Sequence, residues 1–326
     1  MFKALVLTQQ EKRTIANVCQ LPESDLPEGE VLVNVDYSSL NYKDGLAITG
    51  LGKIVRQFPM VPGIDYVGTV AESKDERYQA GDKVILTGWG VGENHWGGMA
   101  EKAMVKADYL VPLPTNLSED KAMMIGTAGL TAMLCVQALQ QAGITSDMGE
   151  ILVTGASGGV GSVAVTLLAQ LGYKVVACTG RVEQNQDWLQ ALGATEVMDR
   201  SVMEADGRPL EKQRWAGVVD TVGNKVLANA LAQINYGGAA AICGLAGGYQ
   251  LPTTVMPFIL RGVNLLGVDS VACPFEKRTK AWQQLAELLP ASYYTDACEM
   301  ISLEQVPEYA AQIVKGQVKG RVLIKL

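Results

Sequence analysis

Across the first 110 residues, apolar and polar positions alternate in short runs: Lys3–Leu7, Glu30–Tyr37, Asp65–Ala71, Asp82–Leu86 and Met99–Val105. Period-two alternation puts successive side chains on opposite faces, so each run is predicted as a half-buried β-strand. Turn clusters such as Pro27-Glu28-Gly29 and Ala80-Gly81-Asp82 separate the runs. Many short strands closed by glycine and proline predict a β-rich, barrel-like domain. Leu86–Glu101 is too rich in glycine for a regular element and is predicted as a loop.

The pattern changes at Leu117. Ser118, followed by Glu119 and Asp120, supplies an N-cap and an acidic first turn for an apolar run reaching Leu139. From Glu150 onward strand and helix periods alternate. Strands are predicted at Ile151–Thr154, Val175–Thr179, Glu196–Met198, Val218–Asp220, Ala239–Cys243 and Leu265–Val268. A helix over Gly159–Leu171 is closed by Gly172, and a second ends near Leu192-Gly193. Such alternation predicts a doubly wound α/β (Rossmann) domain, a parallel sheet with helices on both faces. After Thr279 helices are predicted to about Leu289 and from about Leu303 to Lys315. The closing strand, Arg321–Lys325, would most simply rejoin the N-terminal sheet.

Composition narrows the picture. At 326 residues the chain has room for two domains, single domains running to roughly 100–200 residues. Hydrophobic residues make up 48% and charged residues 19%, as in a globular protein. The net charge of −7 with no basic tail speaks against nucleic acid as a partner. No uninterrupted apolar run approaches the ~20 residues of a membrane span, and MFKALVLTQQEKR has no secretory core. The expectation is a soluble, cytoplasmic protein with no membrane partner. None of the six cysteines lies within three residues of another, so they are expected as reduced thiols rather than a zinc lobe. With His95 the only histidine, a conventional catalytic metal site is hard to assemble, and no metal ligand is assigned. His95 itself is read as a structural loop residue.

Ile151–Gly161, "ILVTGASGGVG", is a predicted strand running through a glycine turn into a helix. Ala156, Gly158 and Gly161 match G-x-G-x-x-G with alanine in the first place. Such a turn lets backbone N–H groups approach a pyrophosphate, assisted by the helix dipole. Ser157, Gly158, Gly159, Val160 and Gly161 are therefore the expected phosphate cradle of a dinucleotide. The second strand ends in Thr179, Gly180 and Arg181, where NAD sites usually carry an acidic residue for the ribose 2′-OH. A hydroxyl, a small residue and a guanidinium suit a 2′-phosphate, which favours NADP, with Arg200 as a second charge or an adenine contact. Leu245 and Ser270 follow predicted strands at the carboxyl ends where such sheets bind ligands, and are expected at the nicotinamide half.

The stretches "VPGIDYVGTV" (Val61–Val70), "AGDKVI" (Ala80–Ile85), "GGMAEKAMV" (Gly97–Val105) and "GTAGLTA" (Gly126–Ala132), with the "ASGGVG" turn, resemble the medium-chain dehydrogenase/reductase family over essentially the whole chain. The resemblance implies a GroES-like β-barrel domain over residues 1–121, an NADP-binding Rossmann domain over 122–296, and a return to the first domain over 297–326. It also implies a homodimer. The zinc enzymes of the family carry Gly-His-Glu where this chain has Gly63-Ile64-Asp65, and a cysteine where it reads Asn41 to Asp44. The resemblance is thus to the zinc-free, quinone-oxidoreductase-like side. "SSLNYKDGLAITGLGKI", "LTGWGVGENHWGG", "GLAGGYQLPTTVMPFILRG" and "GVDSV" are similar to the NADPH-dependent acrylyl-CoA reductase branch. That implies metal-free reduction of the C=C bond of an α,β-unsaturated acyl-CoA, acrylyl-CoA to propionyl-CoA, by hydride transfer to the β-carbon. A quinone or enone reductase and a non-catalytic NADPH-binding protein are the alternatives. Tyr42, in the former metal-ligand segment, is the candidate to position the nicotinamide or relay a proton, and Thr127 offers a hydroxyl to the cofactor. Asn41 and Asp44 are expected to brace a loop, as such side chains bond nearby backbone. Lys43, Lys53, Arg56, Arg278 and Lys280 are candidates for the phosphates of an acyl-CoA substrate.

Overall fold

The computed structural model describes residues 1–326, which divide into two compact units. The first comprises Met1–Thr127, Ser270–Glu287 and Ala297–Leu326. Its chain opens with a hairpin, β1 (Phe2–Gln10) and β2 (Arg13–Leu21), turned at Glu11 and Lys12 with φ of 47° and 66°. Two left-handed residues give the turn whose twist matches paired strands. There follow β3 (Val31–Leu40), α1 (Tyr42–Thr49), β4 (Asp65–Ser73), β5 (Lys83–Thr87), β6 (Lys102–Val105) and β7 (Leu110–Pro112). Leu86–Glu101 carries no helix and only the end of β5, as its glycines predict.

Next comes α2 (Glu119–Gln141), broken at Gly126, whose φ of 53° and ψ of −159° are not helical. By length and composition α2 could span a membrane, but 89% of its most apolar window is buried inside the protein. It is a core helix by that measure.

The second unit, Ala128–Asp269 with Leu288–Asp296, holds the alternating elements β8 (Glu150–Thr154), α3 (Gly159–Gln170), β9 (Lys174–Thr179), α4 (Val182–Ala191), β10 (Glu196–Asp199), β11 (Trp215–Asp220), α5 (Asn224–Ala232), β12 (Ile234–Ile242), α6 (Met256–Arg261) and β13 (Asn264–Gly267). All six strands pair in parallel, in the order β10-β9-β8-β11-β12-β13. The central strands β8 and β11 read as near-continuous apolar runs, as strands covered on both faces must. Their core gathers Leu152, Val176, Trp215, Val218, Leu227 and Ile234, each at most 4% exposed. This is the doubly wound fold the alternation predicts.

The chain ends with α7 (Phe275–Leu288), α8 (Ala291–Asp296), β14 (Cys298–Ser302), α9 (Val306–Val314) and β15 (Arg321–Lys325). β15 lies antiparallel to β3, with Val322 opposite Leu40, completing the seven-stranded sheet of the first unit. Residues 270–287 group with that unit too, whereas a Rossmann boundary at 296 had assigned them to the other. The reason is chemical: Arg278, 1% exposed, donates Nη1 to the Thr87 carbonyl at 2.7 Å, and the Trp89 backbone N–H donates to the Val271 carbonyl at 3.0 Å.

Candidate functional site

In the second unit the glycine turn is built for close approach. Ala156 donates its N–H to the Cys178 carbonyl at 3.0 Å, tying the turn to β9, and Gly158 donates to the Gly155 carbonyl at 2.9 Å. A side chain at Gly161 would place its Cβ 2.3 Å from the Gly155 oxygen, so the helix can pack this closely only with glycine there. One at Gly158 would meet only that oxygen, at 3.3 Å, because the other side is open. Gly158 is the N-cap of α3 and no side chain caps the helix. The first-turn N–H groups therefore lack the partner a Ser or Asp cap would supply, with Gly158, Gly159 and Val160 half-buried. An uncapped helix start of this kind favours a negative charge beside it.

Beside it, Ser157 and Thr179, both nearly buried, share a hydroxyl–hydroxyl bond of 2.9 Å. Arg181 donates Nη2 to Ser157 Oγ at 3.4 Å and its backbone N–H to Thr179 Oγ1 at 3.3 Å. Its carbonyl accepts from Asn185 Nδ2 at 2.8 Å, which fixes the backbone where α4 begins. Burial lowers the Arg181 pKa from its ordinary value, yet a guanidinium stays protonated at any working pH. The Arg200 guanidinium lies against Gly180, whose Cβ would be 3.2 Å from Arg200 Cζ, and Arg200 donates Nε to Glu204 Oε1 at 2.6 Å. Five of the expected residues, Ser157, Thr179, Gly180, Arg181 and Arg200, thus meet at the carboxyl ends of adjacent strands. Leu245, after β12, is 61% exposed in the same unit. Ser270 belongs to the first unit, where its carbonyl accepts from Arg278 Nη2 at 3.1 Å.

In the first unit Tyr42 opens α1 and is 39% exposed. Asn41 and Asp44 brace the first turn of this helix rather than a loop: Asn41 donates its N–H to Asp44 Oδ2 at 2.9 Å. Ile64 donates its N–H to Asp44 Oδ1 at 3.1 Å. Burial, and then the neighbouring Asp65 charge, push Asp44 up to about 7 despite these two donors.

Asp65 is fully buried and its oxygens accept from Ser39 N at 3.1 Å, Ser39 Oγ at 2.7 Å, Asn41 Nδ2 at 2.9 Å and Thr127 N at 2.7 Å. Arg321, 2% exposed, donates to Ser39 Oγ at 2.6 Å, Asn41 Oδ1 at 3.2 Å and the Met124 carbonyl at 3.1 Å. The break at Gly126 turns the Thr127 N–H toward Asp65, and only glycine fits there, since a Cβ would stand 2.5 Å from Arg321 Nη2. Thr127 was expected for its hydroxyl; here its backbone N–H is what ties the knot.

The basic residues proposed for a CoA tail separate. Lys53, Arg56 and Lys280 are exposed, Lys43 pairs with Glu93 at 2.7 Å, and Arg278 is buried with its guanidinium on the carbonyls of Thr87, Ser270, Val271 and Cys273. Arg278 is therefore a structural staple and not a surface cation. His95 turns Nδ1 toward the Trp96 carbonyl at 3.0 Å, which makes Nδ1 the protonated nitrogen. The sequence does not mark the network joining Asp65 to Arg321 through Ser39 and Asn41, nor Asp220, a buried carboxylate at the end of β11.

Residues 27–115 match the family described as alcohol dehydrogenase GroES-like domain, and 159–290 match zinc-binding dehydrogenase. The chain is 61% identical over 325 residues to a probable acrylyl-CoA reductase of Escherichia coli, covering 100% of both. It is 54% identical to an acrylyl-CoA reductase of Ruegeria pomeroyi, covering 99% of each. An oxidoreductase from Salmonella enterica, solved in complex with NADP, superposes with a TM-score of 0.98 at 59% identity over 99% of each chain.

Proposed function

The chain belongs to the medium-chain dehydrogenase/reductase family, and from that premise we propose that it reduces the C=C bond of an α,β-unsaturated acyl-CoA, acrylyl-CoA to propionyl-CoA, with NADPH. One observation carries the choice of reductant. The turn after β9 has no carboxylate for a ribose 2′-OH, but Ser157, Thr179, Arg181 and Arg200 gather hydroxyls and two cations around Gly180. That donor set fits a phosphate on the ribose. The uncapped start of α3 fits the pyrophosphate. The substrate class is supported by the full-length likeness to relatives so named.

Bound NADPH supplies a hydride for the β-carbon. The task left to the chain is to orient the acceptor and to offer donors to the thioester oxygen as negative charge develops there. We assign Tyr42, at the exposed start of α1, to positioning at the nicotinamide, with Leu245 and Ser270 on the same half of the cofactor. A family zinc does not fit: Asn41 and Asp65 already spend their oxygens on Arg321, Ser39, Asn41 and Thr127, and a buried guanidinium occupies the cluster. We therefore read the reaction as metal-free. The open edge strand β13 supports a homodimer, and six free cysteines support a reducing, cytoplasmic setting.

The test follows NADPH absorbance with acrylyl-CoA, free acrylate and a soluble quinone, and with NADH as control. Rapid oxidation with acrylyl-CoA alone is expected. Oxidation by the quinone but not by acrylyl-CoA would transfer the protein to quinone reduction. NADPH binding without turnover on any acceptor would make it a binding protein. Tyr42→Phe should lower kcat about tenfold, the equivalent of one hydrogen bond, with NADPH affinity unchanged. An unchanged kcat would remove Tyr42 from the reaction.

A further inference from the structure

The second unit holds a buried polar knot just behind the phosphate turn. Asp220, fully buried at the end of β11, accepts Thr154 Oγ1 at 2.6 Å on one oxygen and the Gly223 N–H at 2.8 Å on the other. Thr154 Oγ1 in turn accepts the Thr221 N–H at 3.1 Å, and Thr221 Oγ1 donates to the Thr154 carbonyl at 3.0 Å. Gly155 follows with φ of 60°, and a Cβ there would stand 2.2 Å from Thr221 Oγ1. The Gly155 carbonyl receives the Gly158 N–H at 2.9 Å, so the knot leads directly into the glycine cradle.

The same segment grips the loop after β12. Cys243 donates its N–H to the Asp220 carbonyl at 3.0 Å, Gly247 to the Val222 carbonyl at 2.8 Å, and Asn224 Nδ2 donates to the Gly247 carbonyl at 3.0 Å. Asn224 holds a left-handed φ of 53° to do so, a conformation that asparagine adopts more readily than other non-glycine residues. Leu245 sits within this loop. The segments after β8 and β11 therefore share one carboxylate, and the loop after β12 hangs on the backbone of the stretch that this carboxylate fixes. Burial pushes Asp220 above the ordinary carboxylate range, so the group is a costly way to stabilise a fold. Its value lies in geometry.

We propose that Asp220 is a positioning residue that, through Thr154 and Thr221, sets the spacing between the pyrophosphate turn and the Leu245 loop. This rests on the NADPH reading above. The knot acts on the pyrophosphate and nicotinamide half, while the 2′-phosphate contacts at Thr179, Arg181 and Arg200 lie on the other side of the turn. A whole dinucleotide therefore depends on Asp220, and an adenosine carrying only the 2′-phosphate does not.

The experiment compares binding of NADPH and of adenosine 2′-monophosphate (2′-AMP) to the full chain and to Asp220→Asn and Thr154→Val, by fluorescence titration and calorimetry. Thr154→Val keeps the β-branched shape that a strand favours, so it carries the test alone if Asp220→Asn does not fold. Both variants should bind NADPH about tenfold more weakly, the loss of roughly one charge-assisted hydrogen bond, and 2′-AMP within about threefold of the parent. Amide hydrogen exchange over 155–161 should quicken in the variants without ligand. Unchanged NADPH affinity in a folded variant, or equal weakening of both ligands, would overturn the proposal. A parent chain that binds neither ligand would instead overturn the cofactor reading, and this proposal with it.

Discussion

The polar cluster around Asp65 and the one around Thr179 use similar atoms to opposite ends. Around Asp65 the polar atoms turn inward: the carboxylate takes four donors, and Arg321 spends its guanidinium on Ser39, Asn41 and a carbonyl. Around Thr179 the two Arg181 bonds are long, at 3.4 Å to Ser157 and 3.3 Å to Thr179, and the adjoining helix is left without a side-chain cap. A network closed on itself fixes the shape of the chain, because any lost partner leaves a buried group unpaired. A cluster beside an uncapped helix start leaves backbone donors to suit an anion. Charge and burial alone do not distinguish the two; the uncapped helix start beside one of them does.

The sharpest way to break the comparison is Arg321→Met. Removing one partner from a buried charged cluster costs about 3–5 kcal/mol, so the urea midpoint should fall steeply. NADPH affinity of the folded fraction should stay within about threefold, since no donor of the open cluster has changed. A large fall in affinity with unchanged stability would show that the Asp65 cluster is itself a binding group.

The reciprocal change is Arg181→Ala. Losing charge-assisted bonds worth about 1.5–3 kcal/mol should weaken NADPH roughly 10- to 100-fold, with NADH nearly unaffected and the thermal midpoint shifted little. Titration with both nucleotides measures this directly. Equal weakening of NADPH and NADH would move the 2′-phosphate contact away from Arg181.

How much of this could be read from the chain follows the same division. The open cluster is local in sequence. Ser157 to Gly161 and Thr179 to Arg181 are two turns, each flagged by a strand period ending in small residues. The doubly wound sheet is legible for the same reason, since all of its connections but the one from β10 to β11 carry an α-helix. The closed cluster pairs Ser39 with Arg321 across 282 positions, and no local pattern marks a lone arginine opening an apolar strand as buried. β2 escaped notice because its hairpin turn is Glu11-Lys12, lacking the Asn or Gly that such turns prefer. α1 was obscured by Gly45, which reads as loop. In the fold it lets α9 approach, since a Cβ there would stand 2.5 Å from Ile313 Cγ2.

Asp44 sharpens the comparison with a smaller, graded effect. It belongs to the closed side, yet burial and the Asp65 charge lift it from 3.8 to about 7. The sign follows from linkage. Between 3.8 and about 7 the folded chain keeps a proton that the unfolded chain has lost. Stability from this group is therefore greatest below that window and declines as pH rises through it, by up to about 1.4 kcal/mol per pH unit. Asp75 and Glu304, held down at about 2 by Arg77 and Lys3, act in the opposite sense, losing their stabilisation only as pH falls below the ordinary carboxylate range. Asp44→Asn removes the proton while keeping one acceptor for Asn41 or Ile64. Its handicap against the parent in urea unfolding should shrink steadily from the acid end of the window to neutrality. Parallel stability curves across that range would mean that Asp44 does not titrate there, and that the closed cluster carries both carboxylates charged.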